Sequence, residues 1–381
     1  MQLKMEVSSL IITKWGSSKL RNHVFELLTF AIVVAFICRY LTSNKQKLVP
    51  GVVIIGGSDK KSIINTRRRF RHDAKEILAE GYQLTRDGFF YVPSPLGERL
   101  MIPSKHLEDL KTAPADEVDF VATFIEMFEG RYTTMGSRST LHPRVVKAQL
   151  NHNLTDVMPA VQEEIVDSFG DIFPSCDDWT PLPVVNILTL IVARVSSRMF
   201  GGKSLARNSE WVNSSIAFAI DGYIGAQKLK TYPEIMKPVV ARFIPEIRAI
   251  KNHYKAAEVA AIPLIESRRL TGEKASDLLY WMDEQARGDE KDPKFLAGIL
   301  LKLSFAAIHT SAAAPAQLIY DLCEHPKLVA PLRNEIRMVT DGNGMISKPG
   351  FLKMVKMDSF MKESQRFNPL LLSKSYLYYS P

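Results

Sequence analysis

The chain has 381 residues, 46% hydrophobic and 24% charged, which excludes a disordered polypeptide and a short peptide module. Its formal net charge of +8 suits nucleic acid, an anionic membrane surface or an acidic partner protein. Cys38, Cys176 and Cys323 are far apart and form no C-x-x-C pair, which argues against a disulfide framework and a cysteine zinc site.

The first element is "VFELLTFAIVVAFICRYL", residues 24–41, whose only charges are Glu26 and Arg39 near its ends. A helix of this length rises about 27 Å, enough to cross a hydrocarbon core. Arg39-Tyr40-Leu41 does not match the small-residue site of a cleaved signal, so a retained anchor is expected. The reading is a tail at 1–23, a single transmembrane helix at 24–41, a linker at 42–65 and a catalytic-type domain at 66–381. Lys14, Lys19 and Arg21 precede the anchor, and Lys45 and Lys47 follow it. The cluster Arg67, Arg68, Arg69, Arg71 and Lys75 tips the orientation toward a cytosolic C-terminal domain. The cluster has no series of aromatic residues interleaved as base-stacking platforms, so no nucleic-acid partner is expected.

Beyond the linker, 66–81 reads as one basic amphipathic helix, and "GFFYVPSPLGERLMIP" (88–103) as a short hairpin around a Pro- and Gly-bearing turn. Ser104 is expected to cap the following helix. Downstream, "PAVQEEIVDSF", "VNILTLIVARVSSRMF", "SEWVNSSIAFAI", the long run from Ile235 to Arg269, "ASDLLYWMDEQA" and "PKLVAPLRNEIRMV" space apolar residues three and four apart. The expected class is mainly α with a small β element near the start.

One helix carries an anomaly. "SFAAIHTSAAAP" (304–315) sits between apolar flanks yet holds His309, Thr310 and Ser311, with Pro315 one turn later. A proline there cannot donate to the carbonyl of Ser311, which predicts a kink. A hydroxyl that bonds back to its own helix is one reading of Thr310 and Ser311. A proton relay that uses the imidazole of His309 is the other.

Taken in order, the anchor, the basic hinge, the "YVPSPLGERLMIP" hairpin, "FAAIHTS", and "ESQR" (Glu363 to Arg366) followed by "FNPL" resemble the cytochrome P-450 monooxygenases. The likeness is to the fungal microsomal members of secondary metabolism, and it runs from the anchor to about Leu372. It implies a cytochrome P-450-like fold, haem b as cofactor, an NADPH-cytochrome reductase as electron donor and an apolar, terpenoid-like small-molecule substrate. It also implies the endoplasmic reticulum membrane as location, with the domain facing the cytosol. By the same resemblance, Ala306 and Ala307 match the small residues that let haem and oxygen approach the central helix. Thr310 matches the hydroxyl that helps deliver protons to oxygen, and His309 stands where the family often has an acid. Glu363 and Arg366 match the buried structural pair of the E-x-x-R helix. In "HPRVVKAQL" (142–150), Pro143 and Lys147 take the spacing of a W-x-x-x-R propionate-binding motif, with Arg144 beside them. Either cation is a candidate for a propionate, and a solvated basic helix is the competing reading. Phe305, Ile308 and Ala312 are candidates for a substrate wall.

The family's haem-ligating motif, F-x-x-G-x-x-x-C-x-G, is not found before Pro381, so as written the chain is expected to lack thiolate-ligated haem. The alternative expectation is a haem-free, membrane-anchored remnant or binding protein. An α-helical terpene cyclase is disfavoured, because "CDDW" supplies Asp177 and Asp178 without a third carboxylate.

Overall fold

The computed structural model describes residues 48–94, 97–114, 116–369 and the two-residue strand Tyr378–Tyr379. The expected anchor at 24–41 lies outside the described residues. By internal contacts the chain divides into two compact units, one comprising the residues up to Pro103 with Lys230–Ala241, the other comprising Ser104–Leu229 and the residues from Arg242 on.

The first unit contains the β element. Strands β1 (Val53–Ile54), β2 (Phe90–Ser94) and β3 (Gly97–Met101) form one sheet in that order. β1 runs parallel to β2, and β2 pairs antiparallel with β3 from Phe90↔Met101 to Ser94↔Gly97. The hairpin is where alternation and turn residues put it. Helices α1 (Lys60–Arg69) and α2 (Ala74–Thr85) accompany the sheet, and Ile55, Ile77, Phe90 and Val92 make the small core. The single helix expected over 66–81 is therefore two helices. α1 starts earlier than its basic run suggests, because the Asp59 carboxylate accepts from the amides of Lys61 and Ser62 at 3.0 and 3.1 Å. α2 then takes its own direction to lay Ile77 and Gly81 on the sheet. A Cβ at Gly81 would come within 2.2 Å of the Phe90 ring, so glycine sets how closely the helix approaches β2.

The second unit is mainly helical, with one short antiparallel pair, Val118–Asp119 against Tyr378–Tyr379. After a 3₁₀ turn at Ser104–His106, where a Ser104 cap was expected, a short helix covers Leu107–Thr112. The main helices are α3 (Phe120–Met127), α4 (Leu141–Val145, extended by a π-helical turn to Leu150), α5 (Leu154–Ile172), α6 (Val184–Ala206) and α7 (Ser209–Leu229). They continue as α8 (Pro245–Thr271), α9 (Leu278–Gln285), α10 (Pro293–Glu324), α11 (Val329–Val339) and α12 (Val355–Phe367). The apolar run from Ile235 to Arg269 is not one helix. A short helix, Lys237–Val240, ends before Ile244, which is extended (φ −76°, ψ 117°) ahead of Pro245, as the residue before a proline prefers.

α10 is the axis of this unit and packs against α6, α7, α8 and α12. α6 and α10 are long and apolar enough to cross a membrane by length and composition. Their apolar residues, however, serve the protein core: Ile187, Leu188 and Ile191 of α6 cluster with Ala316 of α10. α6 meets α7 through Trp211, whose Nε1–H donates to Ser197 Oγ at 2.8 Å, and that hydroxyl donates on to the Ala193 carbonyl at 2.7 Å.

Helical geometry in α10 continues through Pro315 to Glu324, so the proline does not end the helix. The carbonyl that Pro315 leaves without a donor belongs to Ser311, an exposed position, where water can replace the lost amide.

Candidate functional site

The site is built on the middle of α10. Residues four apart on a helix lie on one face, so 302, 306 and 310 form a stripe. Ala306 and Thr310 are exposed on it, while Leu301, Ser304 and Ile308 turn into the core. Thr310 Oγ1 donates to the Ala306 carbonyl at 2.5 Å, a back-bond within the helix that leaves the oxygen's lone pairs directed outward. His309 turns the other way and is tied to α7, its Nε2–H donating to the Ile216 carbonyl at 3.0 Å. A carbonyl can only accept, so the neutral ring keeps its proton on Nε2 and its free lone pair on Nδ1. Ser311 is exposed, and Ala307 is half-buried.

Phe305 packs edge-on against Phe124 and Phe128, with ring centroids 5.7 and 5.2 Å away. Ile308 and Ala312 are 1% and 2% exposed and face protein. Of the three residues expected as a substrate wall, Phe305 alone has accessible surface.

On α4, Arg144 and Lys147 are exposed, with Arg144 Nη2 at 3.5 Å from the Gln285 carbonyl of α9. The basic side chain of this segment that acts toward α10 is His142. Burial lowers its pKa from the ordinary imidazole value, and the Lys302 ammonium lowers it further. Its Nδ1 is buried with no hydrogen-bond partner. Lys302 is itself lowered by burial. Neither residue drew notice in the sequence. The available signal was a lone charge in "FLAGILLKLSFAA", one turn before Ala306 on its face.

Glu363 and Arg366 pair as their spacing predicts, at 2.7 and 2.8 Å. The pair is not buried among the described residues, where Glu363 is 57% and Arg366 61% exposed. The buried residue of that turn is Ser364, which donates to Asp321 of α10. This bond holds α12 to α10 and directs Glu363 and Arg366 to the other side, where no described segment covers them.

Exposed small residues on a stiff helix, with basic groups near one end, fit the face of a flat macrocycle that carries carboxylates. The described residues supply this helix side of such a site. Among them, Cys176 and Cys323 are exposed, and Cys323 lies more than three turns beyond Thr310 on a different face of α10.

A family model described as Cytochrome P450 matches residues 109–375. The monooxygenase braC of Annulohypoxylon truncatum is 33% identical over 368 residues, spanning 94% of this chain and 70% of the relative. The monooxygenase olcJ of Penicillium canescens is 33% identical over 79% of this chain and 59% of its own length. An ent-kaurene oxidase of Gibberella intermedia is 29% identical over 89% and 65%. The chain belongs to the cytochrome P450 family. It spans between 59% and 70% of the length of these three relatives.

Proposed function

We propose that the protein containing this stretch is a haem-dependent monooxygenase that oxidises an apolar, terpenoid-like small molecule with electrons from an NADPH-dependent reductase. The observation that carries the reading is the α10 stripe, where Thr310 stands exposed one turn from Ala306 and bonds its carbonyl. The name of the ent-kaurene oxidase relative supports the substrate class. The basic surface suits an acidic reductase. The same reading places residues 24–41 in the endoplasmic reticulum membrane, with 66–381 as a cytosolic domain.

Haem b, when bound, would supply oxygen binding and activation. Ala306 and Ala307 leave room for the macrocycle to approach the helix. Thr310 Oγ1 gives its hydroxyl proton to the Ala306 carbonyl, and its lone pairs can accept a hydrogen bond from water at that face. His309 Nε2 is committed to Ile216, so any relay through the imidazole passes by Nδ1. On this reading Arg144 and Lys147 are the cations offered to propionates, and Glu363 with Arg366 serves the surrounding framework rather than the chemistry.

Thr310→Ala in the complete protein tests this. Turnover should fall about a hundredfold or more, while the carbon monoxide difference spectrum of the reduced haem is unchanged. Wild-type turnover in the variant removes Thr310 from the mechanism, and a wild-type protein without that spectrum removes the monooxygenase reading altogether.

A further inference from the structure

Phe305 and His309 lie one turn apart on the same side of α10. Phe305 meets the ring of Phe128, the residue that follows α3, at 5.2 Å, and Phe128 in turn meets Tyr223 of α7 at 6.5 Å. His309 crosses to the same helix directly, its Nε2–H donating to the Ile216 carbonyl at 3.0 Å. Ile216 and Tyr223 are about two turns apart and so share a side of α7. α10 therefore reaches α7 twice, once through aromatic rings and once through a hydrogen bond. Both contacts run along the flank of the stripe that carries Ala306 and Thr310.

The chemistry at position 309 is selective. The Ile216 carbonyl lies inside α7 and keeps a second lone pair beyond the one its own helix uses, which only a donor can answer. Neutral imidazole and imidazolium can both donate from Nε2. An ionised carboxylate there would oppose the carbonyl, and a phenyl ring would leave it unanswered. His309 is half-buried, where a hydrogen bond is stronger than at the open surface. Successive helical residues point about 100° apart, so a fixed His309 also fixes the bearing of Thr310 toward α7.

We propose that His309 is a positioning residue whose Nε2–H holds α7 against α10, fixing the wall beside the stripe that an apolar substrate would meet. The tie stands on the geometry of the two helices, and only its bearing on substrate rests on the monooxygenase reading above.

The first test needs no haem. Amide hydrogen exchange is followed by mass spectrometry over 209–229 in the full chain, and each variant is compared with the wild type at pH 8 and pH 5. His309→Phe should exchange about fivefold faster at both, the loss of one net hydrogen bond. His309→Gln carries a neutral donor at similar reach and should restore protection. His309→Glu should exchange like His309→Phe at pH 8 and recover toward the wild type at pH 5, because only its protonated form can donate. A side chain that merely fills space gives the opposite pattern, with His309→Phe protected and His309→Glu indifferent to pH. That pattern, or a His309→Gln that exchanges like His309→Phe, overturns the proposal. Should His309→Phe not fold, the contrast between His309→Gln and His309→Glu decides.

The second test uses the complete haem-loaded protein at pH 8, with 7-ethoxycoumarin as a neutral apolar probe. The tie predicts faster turnover in His309→Gln than in His309→Glu, with the difference mainly in KM. An equal or reversed order overturns it, since a proton relay at this position favours the titratable glutamate. A wild type that turns nothing over counts against the monooxygenase reading alone, and hydrogen exchange then decides the tie.

Discussion

Two polar clusters in the helical unit differ in one respect. Between α5 and α6, Glu164 is 1% exposed and fully answered. Arg194 Nε donates to it at 2.9 Å, the Nη2 of the same guanidinium lies 2.7 Å from it, and Arg207 approaches at 3.3 Å. Arg194 and Arg207 both reach on to Asp171 at 2.8 and 3.0 Å. Between α4 and α10, His142 and Lys302 are also removed from water, but both are basic and neither has an acid. A charge cluster that closes on itself holds helices together. One that is left open in the same fold contributes no such tie.

The largest effect is expected at the closed cluster. Glu164→Gln leaves two guanidinium groups facing a neutral amide, with Asp171, 53% exposed, as their remaining partner. Breaking a buried pair from one side costs about 3–5 kcal/mol, read as a lowered denaturation midpoint at unchanged m-value. A loss below about 1 kcal/mol would mean that Asp171 and water answer the arginines unaided, and the contrast between the clusters would fail.

The two clusters were not equally legible beforehand. The helical class, the hairpin and the helix with "AAIHTS" followed from periodicity, turn residues and a polar interruption in an apolar run. These are local signals, and local geometry kept them. Pairings were not legible, because they depend on how helices cross. "EEIVDSFGDI" and "ARVSSR" give no hint that Glu164 rather than Glu163 is the buried partner of Arg194. Both acids lie on α5, and a difference of about 100° around the helix decides which one leaves the water. At the rim of the site, spacing drew attention to Arg144 and Lys147, while the fold turns His142 toward α10. The exposure of Glu363 and Arg366 among the described residues has the same kind of cause. The i,i+3 spacing fixes their pairing but not which side of α12 meets α10, and Ser364 makes that contact.

The open cluster should respond to removal with the opposite sign. Lys302→Met replaces an unanswered ammonium by an apolar chain of similar length in a largely apolar setting. Without ligand, the variant should be more stable by about 1 kcal/mol, kept small because Lys302 is only half-buried and its ammonium retains some hydration. A gain in stability is what separates an unanswered charge from a structural one. A destabilised Lys302→Met would place Lys302 with Glu164, as part of the framework.

The smallest effect separates the clusters by pH. Burial, then Lys302, keeps the folded pKa of His142 below its ordinary 6.5. The unfolded chain therefore takes up that proton first, and stability falls as pH drops below 6.5 until the folded imidazole also titrates. The closed cluster acts later. A hydrogen bond from Arg194 to Asp171 holds that carboxyl below 3.8, so its contribution is intact above this value and lost as pH falls through the lower folded one. Between pH 6.5 and 3.8 the two clusters do not overlap. Stability measured against pH should slope there in the wild type, flatten in His142→Phe, and retain a shallower slope in Lys302→Met, because burial, the larger cause, survives that change. An identical slope in all three would mean that His142 carries a proton in the fold as easily as in the unfolded chain. Its isolation beside Lys302 would then have no energetic consequence.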